Sequence, residues 1–157
     1  MSSKRIVAIA FASCVLGAAA FVYGTAAGGS VSAKRAAKVK VRLIEFQVKP
    51  NVDFVAEGKA KLVVKNAGTE KHELVVVRGD DPKALPTKAD GSVDEKKVPK
   101  TDQLGELEDI KPGKSKTKTF KLSAGSYVLF CNTVDKEKDG TVVSHFARGM
   151  YTVFEAG

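Results

Sequence analysis

Apolar and polar side chains alternate in short segments from residue 39 onward, and this pattern constrains the fold more than any other feature of the sequence. In the first segment Val39, Val41 and Leu43 alternate with charged residues, and the alternation continues as far as Pro50. A period of two residues is typical of a β-strand with one buried face. Similar segments recur about every 8 to 12 residues, and none carries the apolar stripe of a helix. The sequence therefore predicts an all-β sandwich of about seven to eight strands.

Turn-forming residues separate these segments. The Asn66-Ala67-Gly68 and Ser123-Ala124-Gly125 tripeptides, for example, combine small and polar residues where the chain must reverse. With such turns as boundaries, the strands are predicted at residues 39–50, 52–56, 60–65, 72–77, 105–110, 115–122, 127–131 and 150–155.

Residues 80–102 interrupt this rhythm. They contain Pro82, Pro86 and Pro99 together with many Lys and Asp, and very few aromatic or β-branched residues. This composition is typical of a surface connection. We therefore expect an exposed excursion from the sandwich, with a short helical turn at most.

The N-terminal segment has the features of an export signal. Lys4 and Arg5 precede an almost unbroken apolar run at residues 6–23, and a stretch of Gly, Ala and Ser follows it. The run is also just long enough to span a bilayer, so an uncleaved membrane anchor is the alternative. We expect residues 1–33 to be a signal peptide or anchor and residues 34–38 a short tether. Residues 39–157 would then form one domain in the periplasm or another extracytoplasmic space.

Cys, His and Met, the sulfur and imidazole side chains that bind transition metals, are scarce in this sequence. Few positions can therefore form a site for such a metal. The chain has 2 Cys, 2 His and 2 Met, and Met1 and Cys14 fall in the predicted leader. The single Cys that remains, Cys131, cannot form an internal disulfide. A free thiol in an oxidising compartment is a liability unless it has a task. Metal ligation would be such a task.

The remaining candidate ligands lie near the ends of predicted strands. His72 opens one strand, Cys131 ends another, and His145 and Met150 lie just before and at the start of the last one. Strand ends at one pole of a sandwich converge, so these residues can meet in space. Two imidazoles, a thiolate and a weak axial thioether form the ligand set of type 1 copper, whereas zinc prefers more Cys or His and avoids Met. We therefore predict one copper ion per chain, bound by His72, Cys131, His145 and Met150.

Three segments around these ligands resemble the cupredoxins, the blue copper proteins of the plastocyanin and azurin kind. Residues 66–74 are similar to the turn and strand that bear the first histidine of that family. Residues 122–131 are similar to its Gly-x-Tyr-x-x-x-Cys strand, and residues 144–154 to its His-x-x-x-Gly-Met segment and closing strand. The resemblance covers nearly all of residues 39 to 155. It implies a Greek-key sandwich that binds copper through the same four residues, and a bracing role for Asn66.

The segment between the cysteine and the second histidine departs from the familiar members of that family. Only a few residues separate the two ligands there, whereas residues 132–144 intervene here. A hairpin-like excursion through Asp139-Gly140 would return the chain to the same pole. Asp135, Glu137 and Asp139 would then be solvated loop charges, which we favour, or would supply an oxygen ligand.

The ligand set indicates an electron carrier and not an enzyme. Its partner would be a redox protein or a copper donor or acceptor, and the formal charge of +8 would favour an acidic one. The alternatives are a periplasmic copper storage or transfer protein and a metal-free sandwich for protein interaction. The cations are spread over several segments and the aromatic residues lie mainly within strands, so we expect no nucleic acid partner. We expect membrane contact only if the leader is uncleaved.

Overall fold

The computed structural model describes residues 35–157. The predicted signal peptide or anchor at residues 1–33 lies outside the described residues. Within residues 35–157, no helix has the length and apolar character needed to cross a bilayer.

The described chain forms eleven strands and one 3-10 turn at Pro82–Ala84. The strands are β1 (Ala37–Ile44), β2 (Gln47–Pro50), β3 (Phe54–Val55), β4 (Gly58–Asn66), β5 (His72–Arg78), β6 (Gln103–Ile110), β7 (Ser115–Leu122), β8 (Gly125–Phe130), β9 (Val134–Lys136), β10 (Val142–Ser144) and β11 (Tyr151–Ala156).

Nine of these strands form two sheets that pack face to face. The first sheet has the order β2-β1-β4-β7 and the second the order β3-β11-β8-β5-β6. Most neighbours are antiparallel, whereas β1 pairs with β4, and β3 with β11, in parallel. The remaining two strands, β9 and β10, pair only with each other. The predicted all-β sandwich is confirmed, although its sheets hold more strands than the seven to eight expected.

The additional strands arise partly because the segment at 39–50 is a hairpin and not one strand. β1 and β2 are antiparallel, with Ile44 opposite Gln47 and Leu43 opposite Val48. Leu43 and Val48 are both buried, so the alternation continues unchanged across the turn. The turn itself contains Glu45 and no Gly, Pro or Asn. The period-two pattern alone therefore does not reveal it.

The main core lies between the two sheets. Val39, Val41 and Leu62 on the first sheet pack in one cluster with Leu129 and Phe154 on the second. Burying one such side chain stabilises the folded state by about 1.5–3 kcal/mol. The single cysteine of the described residues is free, so this core forms without a disulfide.

Residues 80–102, expected to be an exposed excursion, cover the outer face of the second sheet. Most of these residues are exposed, but Val93 and Val98 are only 0% and 3% exposed. Both belong to a second core cluster with Val75 and Val77 of β5 and Phe130 of β8. β5 is therefore buried on both faces, which explains its continuous apolar run. The composition of residues 80–102 did not predict this packing, because only a few of these residues contact the sheet.

Candidate metal centre

The four predicted ligands lie at strand ends on one pole of the sandwich. His72 is the first residue of β5, Cys131 follows β8, His145 follows β10 and Met150 precedes β11. All four are fully buried. The backbone connects three of them, since the N–H of Cys131 donates to the carbonyl of Met150 (3.0 Å) and the N–H of Met150 donates to the carbonyl of His145 (3.0 Å).

Cys131 and the two histidines converge on one point. The Cys131 Sγ atom is 3.8 Å from His72 Nδ1 and 3.5 Å from His145 Nδ1. The two Nδ1 atoms are 3.1 Å apart. One sulfur and two ring nitrogens therefore form a compact triangle of metal-ligating atoms.

This triangle has the size that a single metal ion requires. Metal–sulfur bonds of about 2.3 Å and metal–nitrogen bonds of about 2.0–2.1 Å, arranged at equal angles in a plane, would place the nitrogens about 3.5 Å apart and each nitrogen about 3.8 Å from the sulfur. The distances in the structure differ from these values by about 0.4 Å or less. The donors present thus fit one ion, and a thiolate with two imidazoles is the planar part of a type 1 copper set.

Met150 is held next to Cys131 and His145 by backbone hydrogen bonds. Its side chain is fully buried in the same core cluster as Cys131. Gly149 before it has a φ of +88°, a left-handed conformation that glycine adopts without strain. A thioether is a weak axial ligand for copper. Met150 therefore stays the predicted fourth ligand, on the chemistry of the side chain and its position beside Cys131.

The outer nitrogen of each histidine lies next to carboxylates. His72 Nε2 is 3.2 Å from Glu45 Oε1. His145 Nε2 is 2.9 Å from Asp135 Oδ2 and 3.2 Å from Glu70 Oε2. A metal ion at the triangle needs the lone pair of each Nδ1, so the ring proton must be on Nε2, where a carboxylate can accept it. Such pairs fix the orientation of the ring and raise its basicity as a ligand.

Backbone donors hold Glu45 in place. Its Oε1 accepts hydrogen bonds from the N–H groups of Thr69 (2.6 Å) and Glu70 (2.8 Å). Burial alone would raise the pKa of Glu45, but these N–H groups and the nearby His72 outweigh burial and lower the pKa below its usual value. Glu45 is therefore ionised at neutral pH and available to His72.

Burial also affects two of the ligands in the metal-free protein. Desolvation, together with the neighbouring His145, lowers the pKa of His72, which is therefore a neutral imidazole at neutral pH. Burial raises the pKa of the Cys131 thiol, although two hydrogen bonds of its sulfur oppose this: the Glu73 N–H donates to it (3.5 Å), and it pairs with the Thr133 hydroxyl (3.3 Å). Metal binding must therefore displace the proton of Cys131.

Further acidic side chains, Glu73 among them, lie near the two histidines. Desolvation, with the charges of Glu95 and Glu106, raises the pKa of Glu73 to about 7. Glu73 follows His72 in β5. Carboxyl groups therefore gather near the metal centre, together with the cations Lys71 and Arg148, although the chain as a whole carries a formal charge of +8.

The enlarged segment between Cys131 and His145 contains a β-hairpin. β9 and β10 pair in antiparallel fashion, and the chain reverses near Gly140, whose φ is +89°. The N–H of His145 donates to the carbonyl of Thr133 (3.0 Å), which brings the second histidine back to Cys131. Asp135 lies in β9 and is 38% exposed, so it is neither a freely solvated charge nor part of the sulfur–nitrogen triangle. It instead contacts the outer nitrogen of a ligand.

Sequence reasoning missed Glu45 and Glu70. Glu45 lies outside the three segments singled out in the sequence, and Glu70 lies inside one of them but contacts His145, which is far away in the chain. Asn66 holds the turn before β5, since its Nδ2 donates to the carbonyls of Glu70 (2.7 Å) and Ile110 (2.7 Å) and its Oδ1 accepts from the N–H of Gly68 (2.9 Å). Asn66 thus has the bracing role that the resemblance implies. It holds the turn that carries Glu70, and the carboxylate of Glu70 contacts His145.

An aromatic ring covers the second histidine. Phe46 meets the His145 ring edge to face, with 5.1 Å between the ring centroids. The guanidinium of Arg148 lies over Phe46, 5.1 Å from its centroid. This stack helps to keep His145 buried and limits the access of water to the triangle.

Comparisons with known proteins point to one kind of domain. A family model described as a cupredoxin-like domain matches residues 10–144, which include His72 and Cys131. No match is found among curated proteins.

Several solved structures share the fold. A reduced auracyanin from the photosynthetic bacterium Roseiflexus castenholzii superposes with a TM-score of 0.55 and 21% identity over 78% of this chain and 98% of its own. For auracyanin B the TM-score is 0.52, with 20% identity over 78% of this chain and 89% of its own. Auracyanin A from Chloroflexus aurantiacus, described as a "blue" copper protein, gives a TM-score of 0.50 and 14% identity over 78% of this chain and 100% of its own.

Proposed function

Since this chain belongs to the family of cupredoxin-like domains, we propose that it binds one copper ion and carries single electrons. The observation that supports this most is the buried triangle of Cys131 Sγ, His72 Nδ1 and His145 Nδ1, with edges of 3.1, 3.5 and 3.8 Å. Met150 is proposed as the fourth, axial ligand. Copper bound there would supply a one-electron couple between Cu(II) and Cu(I).

The residues of the chain have separate roles in this proposal. Cys131 would hold the copper ion as a thiolate, together with His72 and His145 as neutral imidazoles. Glu45 and Asp135 orient the two rings by accepting the Nε2 protons, and Phe46 keeps water away from His145. Because all the ligands belong to strand ends of one packed sandwich, their positions change little when an electron arrives or leaves, which favours fast transfer. We propose no substrate turnover.

Voltammetry of the copper-loaded protein tests the carrier proposal. We expect a reversible one-electron wave whose potential changes in Met150→Gln, because an oxygen donor in the axial position favours Cu(II). Met150→Leu is the companion variant, since it keeps the volume but offers no ligand. An irreversible wave, or loss of copper on reduction, would contradict an electron carrier.

A periplasmic copper storage or transfer protein is the second candidate. It is favoured by a second group of metal-ligating atoms, from Glu70, Asp135 and His145 Nε2, at the rim of the buried triangle. Glu70 Oε2 is buried, and among residues 35–157 it makes a charge contact with His145 Nε2 (3.2 Å) but no hydrogen bond of good geometry. These carboxylates would accept an entering ion before it reaches Cys131. Rapid exchange of copper with a chelator, on the time scale of mixing, would support transfer, whereas slow exchange supports the carrier.

We also propose that the protein acts outside the cytoplasm. The basis is the sequence of residues 1–33, in which Lys4 and Arg5 precede the apolar run. Its partner would be a redox protein or, for the second candidate, a copper donor or acceptor. Fractionation of cells that express the full chain tests this, because an exported protein is released with the periplasm or stays with the membrane, whereas recovery in the cytoplasm would contradict export.

A further inference from the structure

The outer face of the first sheet is a continuous cationic surface. Cations that are far apart in the sequence become neighbours there: Lys38 lies beside Lys61 across β1 and β4, and Lys59 lies beside Lys121 across β4 and β7. The lysines are spread over several segments of the sequence, but strand pairing gathers them. We call this surface the lysine face, and its eight exposed members are Lys38, Lys40, Arg42, Lys49, Lys59, Lys61, Lys65 and Lys121.

No acidic residue balances these charges. The other side chains that face outward on β1, β2, β4 and β7 are neutral, and within residues 35–157 none of the eight cations has a carboxylate within 4.0 Å. Arg42 has two cationic neighbours, Lys49 on β2 and Lys65 on β4. Like charges on adjacent strands destabilise a sheet. The eight cations of this face therefore do not contribute to the stability of the sheet. Binding to an external anionic surface explains their presence better.

The side chains of the lysine face suit a broad anionic surface more than a protein contact. A depression crosses β1, with Val63 and Pro50 in its lining and cationic side chains around it. Seven of the eight cations are lysines, which act as flexible point charges on long stems. Protein interfaces depend on aromatic anchors, and the exposed large hydrophobic residues of the described chain, Phe54 among them, lie on no strand of this sheet.

We propose that the lysine face binds the surface of an anionic phospholipid bilayer. The position of the preceding chain supports this partner. β1 is an inner strand of the face and begins at Ala37, and the apolar run at residues 6–23 ends shortly before it. An apolar segment and a polybasic surface are the two signals that together keep a protein at a membrane. If the leader is cleaved, the lysine face alone gives a weaker, salt-dependent attachment.

This orientation leaves the metal centre accessible. β1 starts at the pole opposite the ligands and ends beside Glu45, which contacts His72. The lysine face is therefore a side of the sandwich, whereas His72, Cys131 and His145 lie at one end of it. A protein attached by this face can meet a membrane-bound partner with its ligand-bearing end.

Vesicle binding tests the proposal. The exported protein, produced from the full chain, is mixed with vesicles of phosphatidylcholine alone or of phosphatidylcholine with about one third phosphatidylglycerol, the anionic lipid that makes the surface negative. We expect stronger binding to the anionic vesicles and a decline as salt is added. Each lysine near such a surface contributes about fivefold to affinity. The triple variant Lys40→Gln, Lys61→Gln, Lys65→Gln is therefore expected to bind about a hundredfold more weakly.

A matched triple variant separates the lysine face from net charge. Lys88→Gln, Lys96→Gln, Lys138→Gln removes the same charge from exposed positions elsewhere and should bind anionic vesicles almost as well as the wild type. Equal losses in both triple variants, or equal binding to both kinds of vesicle, would overturn the proposal. So would binding to poly-glutamate without binding to anionic vesicles, since the partner would then be an acidic polypeptide. None of these substitutions touches the metal ligands, so the outcome is independent of copper binding.

Discussion

At the scale of single residues, carboxylates lie against both histidines of the candidate metal centre. Glu45 lies against His72, and Asp135 and Glu70 lie against His145, at 2.9 to 3.2 Å. These groups place negative charge next to the ligands without joining the triangle. A more negative surrounding stabilises Cu(II) relative to Cu(I). The carboxylates should therefore lower the reduction potential.

Asp135→Asn tests this effect. The variant keeps a hydrogen-bond acceptor for His145 Nε2 but removes the charge, so we expect the potential to rise by about 60 mV, the shift that corresponds to a tenfold change in relative affinity for one electron. Voltammetry at one pH measures it. Glu137→Gln is the control, because it removes a charge from the same hairpin at an exposed position. An equal rise in both variants would mean that net charge and not the contact with His145 sets the potential.

At the scale of elements, the cover formed by residues 80–102 is connected directly to the ligand strand. Asn132, the residue after Cys131, makes two hydrogen bonds to the backbone of Val93 in this cover. Its Oδ1 accepts from the N–H of Val93 (2.7 Å), and its Nδ2 donates to the carbonyl of Val93 (3.0 Å). The same Nδ2 is 2.7 Å from Glu95 Oε1. The cover thus helps to hold the residue next to the thiolate.

Asn132→Ala and Val98→Ala should separate two roles of this cover. Asn132→Ala removes the polar link, so we expect a loss of about 1–3 kcal/mol in the free energy of unfolding and a shift of the copper absorption. Val98→Ala leaves the link intact and opens a small cavity, so it should be destabilising by about 2 kcal/mol without a spectral shift. Urea denaturation and visible spectra of both variants measure this. A similar spectral shift in the two variants would show that the cover acts only through general stability.

The elements also show where sequence reasoning succeeds. Strands with one buried face, such as β4, follow directly from the period-two pattern. The predicted start of β5 and end of β8 also correctly brought His72 and Cys131 near each other, although both strands are buried on both faces. The turn at Glu45 was not predictable because Val48 continues the same pattern. The cover at residues 80–102 was not predictable because Val93 and Val98 are isolated apolar residues among polar ones, and only the folded sheet shows what they contact.

At the scale of the whole molecule, charge is divided between two regions. The lysine face occupies the outside of the first sheet, whereas Glu45, Glu70, Glu73 and Asp135 surround the metal centre. Composition gives only the sum, a formal charge of +8, because the distribution depends on which strands pair. The pairing of β1 with both β2 and β4 is what assembles the lysine face.

The core should make the fold independent of a bound metal ion. The ligands are buried in a sandwich whose main cluster extends from β1 to β11, so removal of copper should leave the strands in place. We expect the far-UV circular dichroism to be unchanged and the melting temperature to fall, since a ligand at a thousand times its Kd contributes about 4 kcal/mol to stability. Thermal unfolding with and without a copper chelator measures both. Loss of cooperative unfolding in the chelated protein would contradict a preformed site.

Whether Cys131, His72 and His145 hold one copper ion can be measured by a titration with Cu(II) followed by visible absorption. We predict an intense thiolate-to-copper band that grows linearly and saturates at one equivalent, is absent in Cys131→Ser, and is lost or shifted in His145→Ala. Thr133→Ser, which keeps the hydroxyl next to the sulfur, should retain the band. A band that persists without Cys131, or wild-type protein that takes up no copper, would contradict the account.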